Sequence, residues 1–116
     1  MHITERRIGD AIILDLVGEL TYANRATFKS AVERSAHGGC RHLILNMQQV
    51  RFLDSSALGT LALLTQSLRA MQGTVSLLNP QSYVKEIITL ANLHQLVPVY
   101  QSEQDALAGA RLPKAG

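Results

Sequence analysis

The sequence has only one cysteine, Cys40, among its 116 residues, which excludes an intrachain disulfide. A lone thiol is typical of a reducing compartment. The N-terminal residues lack the apolar core of a signal peptide, and the longest early apolar run, residues 11–14, is far too short to cross a bilayer. We therefore expect a cytoplasmic protein that does not insert into a membrane.

An excess of charge of one sign is also missing. The chain has 11 lysines and arginines against 9 aspartates and glutamates, a formal net charge of +2. Arg6 and Arg7 are the only adjacent basic pair, and no basic stripe is interleaved with aromatic side chains. Because nucleic-acid binding proteins usually carry such a stripe, we expect no nucleic-acid partner.

The residue patterns of common catalytic and cofactor sites are absent from the sequence. The four histidines do not have the spacing of metal ligands, and no glycine-rich loop precedes a helix. Ser55 and Ser56 are not bracketed by glycines as in a serine hydrolase. Asp15, inside an apolar strand, is best interpreted as a strand-edge or hydrogen-bonded acid, and His94 as a partly buried structural histidine. We therefore expect no metal, no cofactor and no enzymatic activity.

Hydrophobic residues make up 47% of the chain and charged residues 17%, the composition of one compact globular domain. Period-two and buried-type apolar runs predict strands, and a Gly9-Asp10 turn predicts a hairpin between the first two. The predicted strands cover residues 2–8, 11–17, 42–47, 74–78 and 97–100.

Apolar residues at three- and four-residue spacing predict four helices. The predicted helices cover residues 21–36, 55–72, 82–91 and 103–108. In the second helix the predicted core face is Leu58, Leu61, Thr65 and Leu68, with Leu64 and Met71 beside it. Residues 48–53 are predicted to be a loop.

Strands that alternate with helices indicate an α/β fold with crossover connections. The pattern contains about five strands and about four helices. The predicted domain covers residues 1–110, followed by a flexible tail over residues 111–116.

The segment Asp54-Ser55-Ser56 stands directly before an apolar helix. Aspartate and serine are preferred helix caps, so capping alone explains much of this pattern. The tandem serines exceed the needs of one cap, and the segment follows a buried strand, at the rim of a sheet where ligands tend to dock. Capping and a functional role therefore both remain open from these residues.

The stretch Leu43-Ile44-Leu45-Asn46-Met47, continued by Val50-Arg51-Phe52-Leu53-Asp54-Ser55-Ser56-Ala57-Leu58-Gly59, resembles the signature of the STAS family, the bacterial anti-sigma-factor antagonists. Supporting similarity lies in Leu16–Leu20 with Ala23-Asn24, and in Val84–Ile87 through Asn92-Leu93 to Val99-Tyr100. The resemblance extends from about Ile3 to Ala108 in the family's order.

The resemblance implies a small mixed sheet of about five strands with about four helices mainly on one face, and a role in partner switching. An unphosphorylated antagonist binds an anti-sigma factor that is also its serine kinase, phosphorylation breaks the complex, and a serine phosphatase resets it. By motif position the phosphorylated serine is Ser55. The expected partner-binding residues are Thr21, Tyr22, Asn24, Asp54, Ser56, Ala57, Leu58 and Gly59. A monomer or weak dimer is expected.

Two positions depart from the family pattern. Ala57 stands where the family usually has glycine, and Thr21 where many antagonists have aspartate. These departures motivate a second hypothesis, an unswitched STAS scaffold or a subunit of a larger, membrane-associated complex, since Tyr22-Ala23-Asn24 resembles STAS domains attached to anion transporters. A third hypothesis is weak nucleotide binding at the sheet rim.

Overall fold

The computed structural model describes residues 1–39 and 41–111, which form one mixed sheet with helices on both of its faces. The strands are β1 (His2–Ile8), β2 (Ala11–Leu20), β3 (His42–Leu53), β4 (Thr74–Leu78) and β5 (Val99–Tyr100). The helices are α1 (Arg25–His37), α2 (Ser55–Ala70), α3 (Ser82–Leu90) and α4 (Glu103–Arg111).

The sheet has the strand order β1-β2-β3-β4-β5. β1 and β2 form an antiparallel hairpin, and Gly9 in its turn has a φ of 62°, a conformation that glycine adopts without strain. The other neighbouring pairs are parallel, as expected where a helix connects two strands. The predicted α/β fold with a mixed five-stranded sheet is confirmed.

The two faces of the sheet are covered unequally. The main core lies on the face of α1, α2 and α3, where residues such as Phe28, Leu61 and Val84 pack against the strands. On the opposite face, Ala106 of α4 forms a small buried cluster with Ile13, Ile44 and Leu78 of the strands. Within the described ranges, no helix is long and apolar enough to cross a membrane.

The prediction of a loop over residues 48–53 was wrong, because β3 continues to Leu53. Beyond Asn46, where the pairing with β4 ends, β3 still pairs with β2 as far as Leu20 and Leu53. Two register shifts, opposite Asp15/Val17 and Gly18/Glu19, each place one extra residue in β3 and accommodate this extension. The polar residues Gln48, Gln49 and Arg51 therefore belong to a strand segment that is paired on one side only.

The predicted helix over residues 21–36 also differs from the structure. A 3₁₀ turn over Tyr22–Asn24 precedes α1, which begins at Arg25. Asn24 has a φ of −112° and a ψ of 15°, and its side-chain Oδ1 accepts a hydrogen bond from the Thr21 N–H at 2.9 Å. This local side-chain bond competes with the α-helical pattern, so the α-helix begins later.

Smaller corrections concern the ends of elements. α2 ends at Ala70, and Met71, predicted beside the core face, is 56% exposed. β5 begins at Val99 rather than residue 97, and the carbonyl of Pro98 accepts a bond from the Leu77 N–H at 2.9 Å. α4 extends to Arg111, and the rest of the predicted tail, residues 112–116, lies outside the described residues.

Candidate functional site

Asp54 forms the N-cap of α2 at the end of β3. Its backbone is extended, with φ −104° and ψ 179°, and its Oδ1 accepts a hydrogen bond from the Ala57 N–H at 2.9 Å. Its own N–H donates to the carbonyl of Leu20 at 3.2 Å. The cap therefore begins the helix and also ties its first turn to the end of β2.

Ser55 is the first residue of α2, and it is exposed. Ser56 and Leu58 are half-buried, and Gly59 is exposed with open space around the position of a Cβ atom. Ala57 differs from its neighbours, because only 4% of it is exposed and its methyl group packs in the main core. Ala57 thus lies beneath the predicted contact surface rather than on it.

Tyr22 is brought to the same surface by a hydrogen bond across 32 residues of sequence. Its N–H donates to Asp54 Oδ2 at 3.1 Å, so one carboxylate serves both the cap and the 3₁₀ turn. The Tyr22 ring is 61% exposed. The structure therefore places the segment that contains Thr21, Tyr22 and Asn24 beside Asp54 and Ser55.

Asn24 has a positioning role within this segment. Its Oδ1 accepts from the Thr21 N–H, and its Nδ2 donates to the carbonyl of Glu19. Both bonds stabilise the turn that leads from β2 into α1. This arrangement leaves the polar groups of the Asn24 side chain occupied within its own turn.

Arg25 is a residue of the candidate site that the sequence did not predict. Its guanidinium carbon lies 3.6 Å from the centre of the Tyr22 ring, and its Nη1 donates to the Tyr22 carbonyl at 2.8 Å. This cation–π contact holds the exposed aromatic ring in place. The signal in the sequence was an arginine three residues after a tyrosine at a helix start, the spacing of side chains that meet on one helix face.

The electrostatics of the site favour a negative charge on Asp54. Hydrogen bonds from the Ala57 N–H, and then from the Tyr22 N–H, lower the pKa of Asp54 from its ordinary value of 3.8. Asp54 is therefore a carboxylate at neutral pH, next to the positive end of the α2 dipole. Among the described residues, no group of three or more histidine, cysteine, aspartate or glutamate side chains could hold a metal ion.

The comparison with known families decides the assignment, since the family model of the STAS domain matches residues 2–106. The chain belongs to the STAS domain family. The match covers the sheet, the cap at Asp54 and the start of α4, so the resemblance inferred from the sequence is confirmed.

Relatives of this STAS domain have names from bacterial transcription control. A Thermotoga maritima protein named "Putative anti-sigma factor antagonist" is 27% identical over 105 residues, 90% of this chain and 93% of that protein. The anti-sigma F factor antagonist of Paenibacillus polymyxa is 25% identical over 100 residues, 83% of each chain. These relatives are named as regulatory proteins.

Solved structures share the fold. A crystal structure of a Thermotoga maritima protein under the same name has a TM-score of 0.88 at 25% identity, over 95% of each chain. The Bacillus protein SpoIIAA matches in its unphosphorylated form, with a TM-score of 0.79 at 21% identity over 97% of this chain and 100% of SpoIIAA. Its phosphorylated form matches with a TM-score of 0.71 at 20% identity over 95% and 100%.

Proposed function

We propose that this STAS domain is an anti-sigma-factor antagonist whose affinity for its partner is switched by phosphorylation of Ser55. In this scheme the unphosphorylated chain binds an anti-sigma factor that is also a serine kinase, and a serine phosphatase restores the binding form. The observation that carries the proposal is the position of Ser55, exposed at the first residue of α2 behind the Asp54 cap.

The helix start at Ser55 is suited to receive a phosphate without loss of the fold. The first N–H groups of a helix lack intrahelical acceptors, and they form an anion-binding end. In α2 the Asp54 carboxylate uses the Ala57 N–H. The added charge, about −1.5 to −2 at pH 7, is therefore met by the dipole and the remaining N–H groups.

The same charge would disrupt a docked partner. Phosphate on Ser55 lies beside the Asp54 carboxylate and near the exposed ring of Tyr22 and the bare helix surface at Gly59. A partner that covers this surface must remove water from two adjacent anions, or it is repelled by them. A loss of about 3 kcal/mol in complementarity corresponds to a weakening of more than a hundredfold.

The test uses the kinase-type anti-sigma factors of the source organism, purified and incubated one at a time with this chain and Mg-ATP. Intact mass and phosphosite mapping should show one phosphate, on Ser55. Ser55→Ala should accept no phosphate and keep its partner, whereas Ser55→Asp should fold normally and bind at least about tenfold more weakly.

Ser56→Ala is the matched control, because Ser56 is the adjacent hydroxyl and is half-buried. This variant should still receive its one phosphate on Ser55. The assignment of Ser55 would be contradicted if phosphate were found only on another residue. It would also be contradicted if none of the kinases phosphorylated the chain.

An unswitched scaffold is the second candidate. It is favoured by Thr21, which presents no carboxylate on this surface, and by the buried methyl group of Ala57 under the helix start. The Ser55→Asp variant separates the two candidates. A scaffold would bind its partner equally well with serine or aspartate at this position.

A further inference from the structure

A groove lies between α1 and α2, next to the proposed switch surface. We refer to it as the α1–α2 groove. It has a volume of about 550 Å³ and is lined by Arg25 and Lys29 on the α1 side and by Thr60, Leu63 and Ser67 on the α2 side. A cavity of this size holds a few apolar side chains of a bound segment.

The groove is continuous with the surface around Ser55. Ser55, Gly59 and Leu63 follow each other at four-residue intervals, so they lie on one face of α2, and all three are exposed. Eight residues of helix correspond to about 12 Å. A folded protein that covers Ser55 is large enough to cover Leu63 as well.

Arg25 is a second connection between the α1–α2 groove and the surface around Ser55. Its side chain lines the groove and also stacks on Tyr22, whose N–H is bonded to Asp54. The cap, the tyrosine and the basic wall of the groove therefore form one continuous surface.

The chemistry of the groove selects its occupant. Leu63 is 67% exposed, whereas Leu61, Leu64 and Leu68 of the same helix are at most 8% exposed, so Leu63 offers an apolar contact on the groove side. Arg25 and Lys29 stand on the opposite wall, and the lining has no acidic side chain. In the described part of the chain, neither of these two basic groups has a carboxylate within 4.0 Å.

We infer that the α1–α2 groove binds an acidic amphipathic helix of the same partner protein that covers Ser55. Apolar side chains of that helix pack on Leu63, and its carboxylates pair with Arg25 and Lys29, the helix-in-groove mode of recognition. The inference rests on the proposed function. A second copy of this chain is less complementary, because it has a net charge of +2.

The test compares groove variants with matched variants on α3. Lys29→Glu and Leu63→Asp alter exposed groove residues, whereas Lys85→Glu and Leu90→Asp make the same changes at exposed positions of α3 outside the groove. Each variant is first checked for an unchanged circular dichroism spectrum and melting temperature. Affinity is then measured by titration calorimetry with the anti-sigma factor that phosphorylates Ser55.

We expect each groove variant to weaken binding at least about tenfold and each α3 variant to change it less than about twofold. The loss in Lys29→Glu should shrink at high salt, because screening weakens the charge pairs. If groove and α3 variants bind alike, the groove inference is overturned, while phosphorylation of Ser55 still supports the proposed function.

A second measurement decides the matter if no anti-sigma factor binds and the proposed function fails. The isotopically labelled chain is titrated with a synthetic peptide of about 14 residues, with leucines at helical spacing flanked by glutamates, and amide shifts are followed by NMR. Shifts around Lys29 and Leu63 that disappear in Lys29→Glu support the groove. Absence of shifts there overturns it.

Two further measurements test for other occupants of the α1–α2 groove. Dimerisation that Leu63→Asp abolishes, seen by sedimentation, would assign the groove to a second copy of this chain. Saturable binding of dodecanoate at Leu63, with no effect of the peptide, would assign it to a small anionic amphiphile. Either result overturns the inference.

Discussion

The carboxylate of Asp54 joins two segments of the chain that capping rules alone would treat separately. One oxygen accepts from Ala57 and the other from Tyr22, at 2.9 and 3.1 Å. A helix cap needs only one of these bonds. At the residue scale, Asp54 is therefore the group that places the tyrosine turn beside Ser55.

Replacement of Gly59 should affect the stability of the fold and the binding of a partner in opposite ways. Gly59 lies inside α2 with nothing within 4 Å of an added Cβ atom, so Gly59→Ala should stabilise the fold by about 1 kcal/mol through helix propensity. The new methyl group would stand on the proposed partner surface and should weaken partner binding. Urea unfolding and partner titration should thus change in opposite directions.

Gly73→Ala is the matched control for this substitution. A Cβ atom there would lie 3.1 Å from the carbonyl oxygen of Arg41 and 3.3 Å from that of Leu68, and both are backbone atoms that cannot turn away. This variant should be less stable than the parent chain. Equal effects of the two alanines would contradict the role given to the open space at Gly59.

At the scale of elements, a polar cluster fastens α4 to the sheet. Arg6 of β1 donates to both oxygens of Asp15 in β2, at 2.6 and 3.0 Å, and to Glu103 of α4 at 2.8 Å. Asn46 of β3 donates to Asp15 Oδ1 at 2.7 Å. Asp15, interpreted from the sequence as a strand-edge or hydrogen-bonded acid, is the acceptor at the centre of this cluster.

The cluster predicts a pH dependence of stability. The bonds from Arg6, and then that from Asn46, lower the pKa of Asp15 from its ordinary value of 3.8, against the opposing effect of partial burial. Because the folded pKa is the lower one, the stabilisation is complete above pH 3.8 and is lost as the pH falls through the folded pKa. Urea unfolding measured from about pH 6 to pH 2 should show less acid loss in Asp15→Asn.

Asp54→Asn is the control for that experiment, since the pKa of Asp54 is lowered as well and the two contributions to the pH dependence must be separated.

A double-mutant cycle of Arg6→Ala and Asp15→Ala should give a coupling free energy of about 1 kcal/mol, kept small by solvent screening of the partly exposed pair. A coupling of zero would contradict the stabilising role given to the Arg6–Asp15 pair.

At the scale of the whole molecule, the two faces of the sheet differ in the size of their apolar cores. The main core is continuous beneath α1, α2 and α3, whereas α4 covers only the cluster of Ile13, Ile44, Leu78 and Ala106. Elements with few buried apolar contacts open at lower free energy than the global unfolding. We therefore expect α4 to open locally while the remainder stays folded.

Amide hydrogen exchange measures this difference. The amides of α4 should exchange with little dependence on urea, and those of β2 and β3 should exchange only with global unfolding. Arg6→Ala should speed exchange in α4 more than its effect on global stability accounts for. Protection of α4 equal to that of β3 would show instead that both faces unfold together.

Much of the fold and of the candidate site could be predicted from residues that are close together in the sequence. The alternation of apolar runs predicted the α/β fold, because side-chain periodicity depends on backbone geometry within one element. Ser55 was predicted at a helix start for the same reason, since Asp54 and the serines are local capping signals. The motif around Ser55 indicates the family for a similar reason, because its residues are contiguous in the sequence.

Other features depended on residues far apart in the chain. The extension of β3 to Leu53 requires its bulged pairing with β2, and the burial of Ala57 requires the core around it. The contact of Tyr22 with Asp54 and the groove beside Leu63 form only when α1 and α2 pack on the same face. Local sequence thus determined most of the elements and the position of Ser55 at a helix start, whereas tertiary packing alone decided which surfaces meet around Ser55, because such contacts depend on the relative placement of whole elements.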